Sequence, residues 1–158
     1  MSNDNSCGGS PQLCNCNSNY VNVDYSTFIP IKDVVPKTVY KPKVEFVTKK
    51  WGYEKIIHND EHYCGKILHF NKNSKCSSHL HLIKRESFYI ISGRFIIKSI
   101  NTDNADEIIT HLNQGDSLTI PIGVPHQIIC EEEGDIAEFS SQHFNSDSYR
   151  VAKGDSQN

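Results

Sequence analysis

Short runs of β-branched and aromatic residues alternate with polar clusters from residue 44 onward. Gly, Asn and Asp separate the runs, and no window carries an apolar helical stripe of useful length. Many short strands at close, even spacing are typical of an antiparallel sandwich or barrel. The pattern predicts strands at residues 43–48, 53–58, 63–70, 76–82, 86–92, 94–101, 107–112, 117–120, 127–131 and 136–143.

Turn-forming residues mark where the predicted strands end. Ser92-Gly93 and residues 113–116 predict tight turns, and residues 101–104 predict a hairpin loop. Gly93 is expected to close a hairpin after the run that begins at Glu86. Tyr89 and Cys130 are expected to face the core. We therefore expect one all-β domain over residues 44–155.

Two segments before the strands differ in composition. Residues 1–24 are mostly Asn, Ser, Gly and Cys, which predicts a disordered polar tail. Residues 25–43 place apolar residues between three prolines, which predicts an extended arm with one short helix near residues 31–35. Those apolar residues lead us to expect that the arm packs on the domain and joins two copies into a homodimer.

Charge and length limit the class of protein. A chain of 158 residues suits one folded domain, and its 16 basic and 19 acidic residues are mixed along it. No basic block suggests nucleic acid or an anionic membrane, and no run of about 20 apolar residues could span a bilayer. The start lacks the regions of a signal peptide, so we expect a cytoplasmic protein. In that compartment the six cysteines should be free thiols.

Four residues could together bind a metal. His79 and His81 are two apart in a predicted strand, so their side chains leave the same face. Glu86 follows in the next run, and His126 comes after a second set of turn residues. If the two halves pack face to face, three imidazoles and one carboxylate converge. That donor set suits one divalent ion, namely Zn, Fe, Mn, Co or Ni.

The spacing of these residues resembles the two motifs of the cupin superfamily. In the first, His79-Leu80-His81 is followed by four residues, Glu86, six residues and Gly93. The second has Gly115, five residues, Pro121-Ile122-Gly123, two residues and His126. Two positions depart from the family pattern: Asn73 replaces a glycine and Cys130 replaces an asparagine. The resemblance implies a cupin jelly-roll barrel that binds metal through His79, His81, Glu86 and His126.

The flanks of the domain resemble a narrower group, the single-domain mannose-6-phosphate isomerases. Trp51-Gly52 stands before the second predicted strand, and Asp147-Ser148-Tyr149-Arg150 follows the last. This resemblance implies metal-dependent conversion of mannose 6-phosphate to fructose 6-phosphate, with zinc as the expected ion. The partner would then be a small sugar phosphate.

Such a reaction needs a base and a phosphate-binding cation. The candidates for proton transfer are Glu86, Lys84, His143 and Glu138, and the sequence does not choose among them. Arg85 and Arg150 are the candidates for binding the substrate phosphate.

Other functions use the same fold and ligands. An Fe(II)-dependent cupin dioxygenase has an identical ligand set, and a non-catalytic cupin could bind a sugar or another small molecule. A nucleotide-sugar epimerase on this barrel works without metal, which the His-x-His motif disfavours. Metal identity and oxygen consumption would separate the two metal-dependent enzymes.

Overall fold

A computed structural model describes residues 43–157. Within this range the chain forms eleven strands and two short 3₁₀ helices, and no helix there is long and apolar enough to cross a membrane. The predicted tail at 1–24, and all but the last residue of the predicted arm at 25–43, lie outside the described residues. The strands are β1 Glu45–Lys49, β2 Gly52–Asn59, β3 Cys64–Phe70, β4 Ser78–Leu80, β5 Glu86–Ile90, β6 Arg94–Ile100, β7 Glu107–Asn113, β8 Ser117–Ile120, β9 His126–Glu132, β10 Gly134–Ser140 and β11 Tyr149–Ala152; the 3₁₀ helices are Asn145–Asp147 and Asp155–Gln157.

The strands form two antiparallel sheets. One has six strands in the order β1-β2-β3-β10-β5-β8, and the other has five in the order β11-β4-β9-β6-β7. Strands adjacent in space are often distant in sequence, as β3 beside β10 and β4 beside β9. The all-β architecture predicted from the alternating pattern is confirmed.

The core lies between the sheets because each strand turns alternate side chains inward. Leu68 and Phe70 of β3 are buried, and the Phe70 ring meets Phe95 of the opposite sheet edge-on at 5.8 Å between centroids. Trp51 stacks on the other side of Phe70 at 4.2 Å. Burial of side chains of this size contributes roughly 1.5–3 kcal/mol each, so this aromatic group binds the two sheets together.

The two departures from the family motifs fit the fold. Asn73 adopts a left-handed backbone with φ of 61°, which Asn tolerates better than most residues with a Cβ. Cys130 is only 1 % exposed and faces the core, as predicted. Cys64, Cys76 and Cys130 are free thiols, which confirms that prediction for the described residues.

Two expectations near β5 are wrong. Ser92-Gly93 does turn the chain, but it carries it from the six-stranded sheet into the five-stranded one, so it closes no hairpin. Tyr89 is 45 % exposed, because Glu86, Phe88 and Ile90 occupy the inward positions and leave Tyr89 on the outer face.

Strand β11 was not predicted. Its four residues, Tyr149–Ala152, are all exposed and show no apolar alternation that would mark a strand. It forms because it can pair with β4, where Arg150 lies opposite His79 in the register. Strand β11 thus becomes the edge of the five-stranded sheet.

Gly93 lies where the chain passes from one sheet to the other, and we expect alanine at this position to destabilise the fold. Gly93 has φ of +83°, and an added Cβ would lie 2.5 Å from the carbonyl oxygen of Glu132. Gly115 has a similar φ of +92° but open space around the added Cβ. Gly93→Ala should therefore lower the free energy of unfolding by about 2 kcal/mol more than Gly115→Ala, since only Gly93→Ala adds overpacking to backbone strain. Urea denaturation of both variants measures the difference, and equal losses would contradict this account of the crossing.

Candidate metal centre

The four predicted ligands come from both sheets and meet between them. His79 lies on β4 directly opposite His126 on β9, so neighbouring strands present the two rings on one face. His81 directly follows β4, and Glu86 begins β5 in the other sheet. All except the half-buried His79 are buried, and one ligand atom from each lies within 4.8 Å of the others. The structure thus brings together the whole predicted ligand set.

Each imidazole is held by a hydrogen bond on the side away from the centre. Nδ1 of each ring contacts a backbone carbonyl, and because a carbonyl only accepts, Nδ1 carries the proton and Nε2 keeps its lone pair. Such outer hydrogen bonds fix the tautomer and orientation of histidine ligands. His79 donates to the carbonyl oxygen of Ser77 at 2.8 Å, and His126 to that of Val124 at 3.0 Å. His81 donates to the carbonyl oxygen of Asp147.

The inner atoms of the cluster repel one another unless a cation lies among them. Oε1 of Glu86 is 2.9 Å from Nε2 of His126 and 3.6 Å from Nε2 of His81. Oε1 of Glu86 and Nε2 of His81 are both buried and make no hydrogen bond. A buried hydrogen-bond acceptor without a donor lowers the stability of the fold. Several such acceptors facing one another are therefore rare in native structures unless they bind something. This arrangement fits a divalent metal ion, whose identity three imidazoles and one carboxylate leave open.

Three of the ligands, His79, His81 and Glu86, have pKa values shifted toward the protonation states that bind metal. Burial lowers the pKa of His79 to about 4, and the neighbouring His126 acts in the same direction. Burial also lowers the pKa of His81, helped by the Lys84 ammonium. For Glu86, burial alone would raise the pKa, but His126 and Lys84 more than offset it and hold the carboxyl pKa far below its usual range. At neutral pH His79 and His81 therefore offer neutral imidazoles, and Glu86 offers an ionised carboxylate.

Asp147 holds the loop that carries His81, and sequence reasoning gave it no role beyond the flank resemblance. Its carboxylate accepts backbone N–H groups from Leu82, Ile83 and Lys84 at 2.9–3.2 Å. Its own carbonyl oxygen accepts the Nδ1 proton of His81. Asp147 is 2 % exposed, so these bonds are shielded from water. Only its place in the Asp-x-x-Arg segment could have drawn attention to it.

A buried line of alternating charges extends from Glu86 into the six-stranded sheet. The Lys84 ammonium contacts Oε2 of Glu86 and lies 2.9 Å from Oε1 of Glu138. Lys66 lies 3.7 Å from Glu138 and 3.7 Å from Glu54. Because each charged side chain has a neighbour of opposite charge, their mutual attraction offsets much of the free energy lost when these side chains are removed from water.

A cavity of about 360 Å³ opens beside the cluster. Its wall includes His79, His81 and His126, together with the aromatic rings of Trp51 and Phe88. The charged residues of the wall are Lys49, Lys66, Lys84, Arg150, Glu54 and Glu138.

The remaining predicted site residues fall in different places. Lys84, Glu138, His143 and Arg150 line the cavity, whereas Arg85 is exposed and lies outside its wall. Nε2 of His143 lies 3.2 Å from the side-chain oxygen of Asn145, and its Nδ1 is buried without a hydrogen bond.

Comparison with known proteins finds a partial match to one family of domains. Residues 66–141 match the family model of the cupin domain. The match includes all four clustered ligands and both turn glycines, Gly93 and Gly115. No curated protein matches the sequence.

Solved structures show the same fold. An oxalate decarboxylase variant from Bacillus subtilis superimposes with a TM-score of 0.63 and 17 % identity, over 72 % of this chain and 33 % of that chain. The capsular polysaccharide assembling protein CapF from Staphylococcus aureus gives 0.63 and 15 %, over 74 % of this chain and 33 % of that chain. The chain thus spans about a third of either neighbour, and identities this low show the fold alone. Together with the partial match to the cupin family model and the two antiparallel sheets, they show that residues 43–157 have the cupin fold.

Proposed function

We propose that the cupin domain is a divalent-metal-dependent isomerase that converts mannose 6-phosphate to fructose 6-phosphate. The observation that carries the proposal is the convergence of four metal-ligating atoms at the wall of a cavity that also contains Arg150. The volume of about 360 Å³ lies in the range of roughly 300–1,000 Å³ usual for small-molecule sites. Zinc is the ion we propose first.

The charges of the cavity wall favour an anionic substrate. Lysine and arginine outnumber carboxylates there by four to two. The three lysines are each within 3.7 Å of a glutamate, whereas Arg150 makes no ion pair with any of the described residues. Its guanidinium is thus free to pair with a phosphate, for which its planar fork is well suited. Since Arg150 lies opposite His79 in the strand register, the phosphate site and the metal ligands share one end of the sheet.

An aldose–ketose isomerisation moves a proton between C1 and C2, and His143 is the base we propose. Burial lowers the pKa of His143, so the ring is neutral at physiological pH. With Nε2 donating to Asn145, the lone pair lies on the buried Nδ1, which has no partner. The bound ion would supply Lewis-acid stabilisation of the negative charge that develops on the substrate oxygens.

The other candidate bases suit proton abstraction less well. Burial alone would lower the pKa of Lys84, but Glu138 and Glu86 raise it above its usual value, so the ammonium keeps its proton. Burial would raise the pKa of Glu138, yet Lys84 and Lys66 lower it below the usual value for a carboxyl group. Glu86 is engaged with the histidine cluster.

The first prediction concerns metal and turnover in the same sample. We expect about one divalent ion per chain by elemental analysis, and mannose 6-phosphate turnover that stops with a chelator and returns with the ion, because the ion stabilises the developing charge. The assay couples fructose 6-phosphate formation to a dehydrogenase. Bound metal with oxygen consumption on a thiol or aromatic diol would favour the dioxygenase, and bound metal with neither activity would favour a binding protein. A chain without metal would refute the metal-dependent function altogether.

Removal of one imidazole should remove the metal but not the fold. His81→Ala takes away an inner ligand, so we expect metal affinity to fall by more than the roughly 10- to 100-fold that loss of an outer partner costs. His69→Ala is the matched control. His69 lies on β3 outside the cluster, is half-buried, and pairs with Asp135. Circular dichroism checks the fold of both variants. Full metal occupancy in His81→Ala would show that the ligand assignment is wrong.

The two predicted phosphate-binding arginines should behave differently. Arg150→Met removes the cation in the cavity wall, and we expect KM for the sugar phosphate to rise about 10- to 100-fold, as for loss of a charged hydrogen bond. Arg85→Met should change KM less than about twofold, because Arg85 lies outside the cavity wall. Steady-state kinetics of the two variants at one ionic strength provide the comparison. The reverse order of effects would place the phosphate on the Arg85 side.

A further inference from the structure

The two oxygens of the Glu86 carboxylate have different neighbours. Oε1 faces Nε2 of His126 at 2.9 Å and of His81 at 3.6 Å. Oε2 instead contacts the ammonium of Lys84. Because Glu86 is 2 % exposed, both contacts are shielded from bulk water. One oxygen of the carboxylate therefore belongs to the ligand cluster and the other to a lysine.

Lys84 is fixed in place from two sides. Its ammonium lies 2.9 Å from Oε1 of Glu138, and its backbone N–H donates to Asp147 at 2.9 Å. Glu138 is itself on β10, the strand that pairs with β5, so the anchor lies on the neighbour of the strand that begins with Glu86. A side chain held at both its backbone and its charged end loses little further freedom when it binds Glu86.

We propose that Lys84 is a positioning residue that occupies Oε2 of Glu86 and so makes this carboxylate a one-oxygen ligand of the metal. The inference deepens the proposed function and rests on its claim that the cluster holds a divalent ion. Carboxylates bind such ions through one oxygen or through both, and rotation of a free side chain allows the change. With Oε2 bound to Lys84, only Oε1 is presented to the histidines.

The consequence concerns the substrate. A carboxylate that binds through both oxygens occupies two coordination positions of the ion, and one that binds through a single oxygen occupies one. Restriction to Oε1 would thus leave one more coordination position for the oxygens of a substrate in the adjacent cavity. Lys84 acts on the reaction only through Glu86, which distinguishes it from a catalytic acid or base.

Lys66 provides a matched control for the experiment. Lys66 and Lys84 are 3 % and 4 % exposed, and both lie near Oε1 of Glu138, at 3.7 and 2.9 Å. Of these two lysines, only Lys84 makes an ion pair with Glu86 among the described residues. Lys66→Met and Lys84→Met therefore impose a similar structural loss, and only Lys84→Met releases the carboxylate ligand.

The test uses the full chain loaded with Co²⁺, whose visible absorption reports the number and arrangement of its ligands. Metal binding by the unmodified protein is measured first, because its absence would refute the proposed function rather than this inference. We then expect Lys84→Met to change the Co²⁺ absorption spectrum and to weaken metal affinity about 10- to 100-fold. Lys66→Met should keep the original spectrum and an affinity within about threefold.

An unchanged Co²⁺ spectrum in folded Lys84→Met would overturn the inference, as would an equal change in Lys66→Met. If Lys84→Met fails to fold, Glu138→Gln takes its place, since it keeps Lys84 but weakens its anchor. This variant should change the spectrum in the same direction and by less. A Glu138→Gln protein with the original spectrum and affinity would then count against a positioning role.

Discussion

The hydrogen bond on the outer nitrogen of each histidine is the interaction on which the site depends. With Nδ1 of His79, His81 and His126 held by backbone carbonyls, three Nε2 lone pairs point inward, and the strand pairing of β4 with β9 sets two of them side by side. Backbone carbonyls are fixed by the sheets themselves. The fold therefore orients the ligand atoms before any ion binds. It also leaves buried hydrogen-bond acceptors facing one another, and only a proton or a cation between them removes their repulsion.

Sequence reasoning succeeded where the information is local or is carried by a known motif. Strand alternation predicts that His79 and His81 share one face, and the resemblance to the two cupin motifs added Glu86 and His126 to the cluster. The left-handed backbone of Asn73 was likewise predictable from its chemistry. Strand β11 was missed because its residues are exposed and carry no alternation, and its existence depends on pairing with β4, some 70 residues earlier in the chain.

Contacts between distant segments were beyond the sequence for the same physical reason. Lys84 and Glu138 are 54 residues apart, and no pattern in either segment indicates that an ammonium and a carboxylate will meet in the interior. Yet this pair changes the interpretation of both residues. Lysine and glutamate in a cavity wall are candidate acids and bases, whereas a lysine paired with two carboxylates retains its proton and serves to hold a ligand.

The flanking residues on which the isomerase hypothesis was based divide into two kinds once their contacts are known. Trp51 stacks on Phe70 and Asp147 binds the loop after His81, so both maintain the geometry of the domain whatever it binds. Arg150 differs, because its side chain lines the cavity and has no ion pair among the described residues. Trp51 and Asp147 thus explain how the candidate metal centre is built, whereas the proposal of an anionic substrate rests on Arg150. In the proposed function, substrate specificity should accordingly depend on β11, whose four residues are all exposed and so are little constrained by the core.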